Sequence, residues 1–370
     1  MDMRSYLPFL SLVPVAFFLC PGNCLIKSIR LPQPLNECFQ RKTMYLNVTE
    51  IPGHAINSFC LNTYKSKQVD VHQELDVPKD IFNWIRSLLR KFISARRKRQ
   101  VFPVRIRKEI RALSETERRD YFRAVLALKA DTSIAPNKWD ALASKFCTKI
   151  QNAVFFITKA EEALRTKVPH VTIPYWDSTK DFDMPDPVMS VVWTSQFFGN
   201  GDGIVTSGPF ANWITGDNEP LIRNIGSSGM LMSRQGVRNI LAQTFHYEIT
   251  EGTAVSPENS IEIQHNAVHN WVDGTMAGLN TAPQDPVFYA HHCYIDYVWN
   301  LFRRQQKARG INPANDYPPT NNSFHQPLFR MVGFEPLRNI DGYSNFWDEI
   351  VSYEDSPDCN DGNRLRLSLF

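Results

Sequence analysis

Nine histidines occur in the chain, and four of them fall between positions 265 and 292. Imidazole is the side chain most often used to hold a metal ion near neutral pH. His265 and His269 stand at i and i+4, so on a helix they project from one face, one turn apart. Such a pair alone is weak evidence, because helices carry it by chance. The next helical segment makes it specific. Asp285 suits an N-cap and Pro286 the first helical position. His292, Ile295, Asp296 and Trp299 then share a face at i, i+3, i+4 and i+7. A connection turning through Gly274, Gly278 and Pro283 brings the two helices face to face, so that His265, His269 and His292 converge on one point. That is a nitrogen-only metal site with an open position for a small ligand. The competing reading, three core histidines satisfied by hydrogen bonds, does not account for the shared face and the capped helix. His291 points about a quarter-turn from His292 and reads as a packing residue or an orienting one. Three imidazoles suit copper or zinc equally well. A zinc protease needs Glu directly after the first histidine, and Asn266 stands there.

The elements that must position these residues are mostly helical. Ile81, Trp84, Ile85, Leu88, Leu89 and Phe92 recur at helical spacing and run into Arg96-Arg97-Lys98-Arg99. Ser114 and Glu117 form a capping box ahead of Tyr121, Val125 and Leu128. A further helix is expected through Ile150, Val154, Ile157 and Leu164, followed by the extended aromatic stretch 171–177. From there to about residue 250, Gly, Pro, Asn and Trp favour ordered loops. The fold class is therefore mainly α.

A hydrophobic fraction of 43% and an aromatic fraction of 12% fit a globular core. A net charge of +3 gives no reason to invoke nucleic acid or a membrane surface. Arg4, the uncharged apolar run Leu7–Cys20 and the breakers Pro21-Gly22 read as a signal peptide over 1–22, and no later stretch is apolar enough to span a membrane. A secreted, extracellular chain follows. The sequons at Asn47 and Asn321 and the seven cysteines agree with export. Cys293 adjoins the proposed site and reads as a packed free thiol. The basic run is either a solvated face or a processing-protease site that makes 23–99 a propeptide.

His265-Asn266-Ala267-Val268-His269-Asn270-Trp271, then Asp285-Pro286-Val287-Phe288-Tyr289-Ala290-His291-His292, Asp296 and Trp299, closely resemble the second copper site of tyrosinases. The likeness extends through Ile173-Pro174-Tyr175-Trp176-Asp177 and Gly208-Pro209-Phe210-Ala211-Asn212-Trp213, and covers roughly 104 to 350. It implies a four-helix bundle holding two coppers, each on three histidines, within a domain over 100–335 followed by a tail over 336–370. The implied chemistry uses dioxygen to convert phenols or catechols to o-quinones. It also implies that Asn266 orients a water that deprotonates the phenol, with Glu262 as its carboxylate partner; a solvated helix glutamate is the other reading of Glu262. Val287 and Phe288 would pack near the pocket.

The sequence departs from the family at the first copper site. Relatives place three histidines ahead of Glu161-Glu162-Ala163-Leu164-Arg165, the last in a Trp-His-Arg triplet. Here 144–156 contains no histidine, and Ala153 and Val154 take the ligand and arginine positions. Between His72 and His265 only His170 and His246 occur, and neither lies on the expected helix. One copper is thus supported where the family holds two, and the first-site segment looks truncated. Asp296 loses its expected arginine and would need His291 or a water. Either the chain is a variant form of an active oxidoreductase that lacks the first-site ligands, or it is a pseudoenzyme, a non-catalytic secreted protein holding a single copper or zinc.

Overall fold

The computed structural model describes residues 31–33, 35–37, 40, 78–98, 103–144, 153–320, 325–331 and 337–357, with the backbone alone at 89, 91–98, 153 and 154. The signal-peptide run, both sequons, Arg99, every cysteine except Cys293 and the segment 145–152 lie outside the described residues.

Among the described residues, seven of the nine α-helices carry the architecture: α1 (Lys79–Lys98), α2 (Glu115–Lys129), α3 (Lys138–Ala143), α4 (Ala153–Arg165), α5 (Arg234–Ala242), α6 (Ile261–Val272) and α7 (Val287–Ala308). α4 packs on α1, α2 and α7, and α7 also packs on α5 and α6. The fold is mainly α, built on the bundle of α2, α4, α6 and α7. The expected capping box is present: Ser114 Oγ accepts from the Glu117 amide while the Glu117 carboxylate accepts from the Ser114 amide. Residues 171–177 are extended, and Tyr175 bridges to Glu109. The loop-rich stretch holds one helix that composition did not reveal, α5, whose Ser233 side chain caps the Gly236 amide.

Two short strand pairs tie distant segments together. β1 (Arg105–Arg107) runs parallel to β4 (Val351–Tyr353), with Arg107 opposite Tyr353. β2 (Asp202–Ile204) and β3 (Ile222–Asn224) are antiparallel. β3 delivers Arg223 to the start of α7, where its guanidinium grips the Asp285 carboxylate at 2.7 and 2.8 Å, both side chains fully buried. Asp285 in turn accepts from the Val287 amide at 3.0 Å and has extended backbone, while Pro286 is already helical. Asp285 is therefore the working cap and Pro286 the first helical residue, as the sequence suggests.

Leaving a buried carboxylate without its cation costs about 3–5 kcal/mol. Arg223→Met is accordingly expected to destabilise the chain by about that amount in urea unfolding. Adding Asp285→Asn should return part of the loss, because the amide removes the unpaired charge.

Candidate metal centre

α6 begins at Ser260, whose hydroxyl caps the Ile263 amide, and ends where Asp273 and Gly274 both adopt φ of +55°. A side chain at Gly274 would meet the Ile222 carbonyl, so only glycine lets the chain turn there against β3. Gly229, at φ +66°, similarly lies on the backbone of α6 between Ala267 and Trp271, which brings loop and helix close.

α6 and α7 bring the three predicted histidines together. The Nε2 atoms of His265, His269 and His292 form a triangle with each side 3.0 Å. His269 Nδ1 donates to the Met276 carbonyl at 2.9 Å, and His265 Nδ1 lies 3.0 Å from Asn266 Oδ1. These contacts put the ring protons of His269 and His265 on Nδ1 and turn those two Nε2 lone pairs inward. Phe288 stacks on the His292 ring, with centroids 3.9 Å apart, and Phe156 of α4 packs edge-on against Phe288. Phe288 is thus the packing residue expected.

Lone pairs 3.0 Å apart repel. A cation satisfies all three, since metal–imidazole bonds of roughly 2.0–2.1 Å reach every corner of such a triangle from one point. The donor set fits copper. His291 also offers a nitrogen within 4.8 Å of His265 and His269. That grouping is looser, and His291 Nε2 donates to the His265 carbonyl at 3.2 Å while its ring stacks on His265 with centroids 4.9 Å apart. His291 orients His265, in line with its predicted role, and the tighter triangle is the better cation site.

The remaining predicted residues are placed as follows. Asn266 holds His265. The Glu262 carboxylate, one turn earlier on α6, accepts from the Glu251 amide. His170 pairs with Asp120, and buried His246 pairs with Asp316 at 2.8 Å. Cys293 is a buried free thiol, pushed up to about 12 by burial.

The partner expected for Asp296 is corrected. Neither His291 nor a water is needed, because Arg107 reaches it from β1 at 3.2 Å and the Tyr353 hydroxyl donates to the same oxygen. Arg107 also donates to Glu161 at 2.9 Å, and Arg105 binds Glu161 and Glu162. Burial raises the Asp296 carboxyl, with Arg107 opposing. The parallel pairing of β1 with β4 presents Arg107 and Tyr353 side by side, which a single sequence does not signal.

Burial pushes His265 and His292 well below the usual imidazole value, and it pushes His269 from 6.5 to about 4. Above pH 6.5 folded and unfolded imidazoles are both neutral. Between 6.5 and about 4 the unfolded chain binds protons that folded His269 refuses, so stability falls as pH falls. The metal-free chain is therefore expected to lose thermal stability across that window, and His269→Gln should flatten the slope. An unfolding midpoint that rises on acidification would contradict this assignment.

The family model described as the common central domain of tyrosinase matches residues 155–305. A tyrosinase-like protein of Pinctada maxima is 36% identical over 338 residues, which cover 81% of this chain and 74% of that protein. Tyrosinase-like protein 2 of Margaritifera margaritifera is likewise 36% identical, with the same coverage of both chains. Among solved structures, a polyphenol oxidase mutant from Thermothelomyces thermophila superposes with a TM-score of 0.53 at 19% identity, covering 76% of this chain and 100% of that one. That likeness speaks for the fold. Taken with the convergent histidines, these similarities show that the chain belongs to the tyrosinase family of type 3 copper proteins.

Proposed function

We propose that this chain binds one copper ion through His265, His269 and His292. In this reading it descends from oxidoreductases that convert phenols or catechols to o-quinones with dioxygen, and it carries only the second of their two copper sites. The observation that carries the reading is the Nε2 triangle of His265, His269 and His292, with Nδ1 of His265 and of His269 already engaged. Copper, when bound, supplies oxygen activation.

The chain's own residues do the positioning. The Met276 carbonyl and Asn266 fix the tautomers of His269 and His265, and the stacked Phe288 ring restrains His292. His291 keeps His265 seated through the His265 carbonyl. The amide nitrogen of Asn266 is the group that would orient a water for removing the phenol proton, with Glu262 on the same helix face as its carboxylate. Burial keeps the imidazoles neutral, so protons do not compete with the metal at neutral pH.

A second reading is supported by one specific observation. No histidine occurs between Ser144 and Phe156, and the described start of α4 turns Phe156 toward Phe288. A chain so built is a non-catalytic holder of one copper or zinc ion, and phenol oxidation belongs to a form that restores the first-site histidines. Export and processing at Arg96–Arg99 remain part of the proposal.

Copper-loaded chain assayed with a monophenol and a catechol separates the two. The non-catalytic reading expects no o-quinone above free copper, with bound copper lost in His292→Ala. Sustained o-quinone formation that vanishes in His292→Ala would make this chain an oxidase in its own right.

A further inference from the structure

The basic run Arg96-Arg97-Lys98-Arg99 suggests a boundary between a removable leader and a domain. The packing draws the boundary elsewhere. Ile81, Ile85 and Leu88 stand at i, i+4 and i+7 of α1 and are 7%, 3% and 7% exposed. Ile81 and Ile85 pack with Ala141 of α3, and Leu88 joins the main core. Trp84 lies against both groups, and the Lys138 ammonium sits 5.8 Å from its ring. Asn83, Arg86, Ser87 and Arg90 face solvent. The described side chains of α1 therefore form an apolar face, on which α3 and α4 pack.

Arg96, Arg97 and Lys98 are helical, and cations in a last turn complement the carbonyl end of the helix. Their peptide bonds become open to a protease only when that turn unwinds, which leaves the aliphatic anchors more than two turns away undisturbed. α4 flanks the segment from which the first-site histidines are missing, and α1 lies along it. An apolar helix in that place closes a wall of the bundle.

We propose that α1 is a permanent wall of the tyrosinase-family domain, docked on the face made by α3 and α4, and that cleavage at the basic run gives two pieces that stay together. The surface fits an amphipathic helix with aliphatic residues at i, i+4 and i+7, supplied by the chain itself. This inference does not depend on whether metal is bound.

The test inserts the recognition sequence of a site-specific protease after Gln100 of the full chain. The product is cut to completion and run on gel filtration in reducing buffer, so that no disulfide can join the pieces. The expected result is co-elution of the two pieces and one shared thermal transition. Separate elution of the N-terminal piece, with the transition of the remainder unchanged, overturns the proposal. Ile85→Asp with Leu88→Asp, cut in the same way, should release the piece. Retention by that variant would also overturn it, because the anchor would then lie elsewhere. If the charged pair prevents folding, Ile85→Ala with Leu88→Ala takes its place, and weaker co-elution than in the parent chain is the expected outcome.

Discussion

Helix α7 carries two carboxylates into the core, and neither can stay charged there alone. Asp285 at its start is held by Arg223 from β3, and Asp296 in its middle by Arg107 from β1. His292 lies between them, so the ring's position depends on both clamps. A buried pair of this kind contributes little over a well-packed apolar pair, yet it is costly to break. Its value is to specify where α7 sits. Two strand pairs only three residues long have their place in the fold because each delivers one of those cations.

With α7 placed, α6 completes the centre. The register of the two helices puts three Nε2 atoms on the corners of a small triangle, and the contacts behind His265 and His269 decide which of their nitrogens faces inward. An apolar layer backs the centre. Phe288 shields His292, and Phe156 of α4 shields Phe288. This layer stands on the side of the helix whose preceding segment lacks the histidines of the first site. In the proposed reading the site is one half of a two-copper design, its positioning kept where the other half's ligands are missing.

The histidine triangle was legible in the sequence because its information is local. The i, i+4 pair and the Asp-Pro cap each lie within one element, and periodicity reports on one element at a time. The capping box at Ser114 and the amphipathic face of α1 were readable for the same reason. The Arg107–Asp296 pair, by contrast, joins residues 189 positions apart, and Arg223 reaches Asp285 across 62. Isolated arginines carry no mark of such partners. α5 was hidden because Ser233 and its short helix sit within loop-like composition, where packing on α7 overrides weak local propensity. Glu262 shows the opposite limit: its helix position was evident, but its bond to the Glu251 amide was set by a loop.

Metal stoichiometry tests the central claim most directly. The purified full chain, saturated with copper and freed of loosely bound ion, is measured by elemental analysis beside His265→Ala and His292→Ala. One copper per chain in the parent and none in either variant is the predicted result. Two coppers per chain, or one that survives both substitutions, would contradict the account.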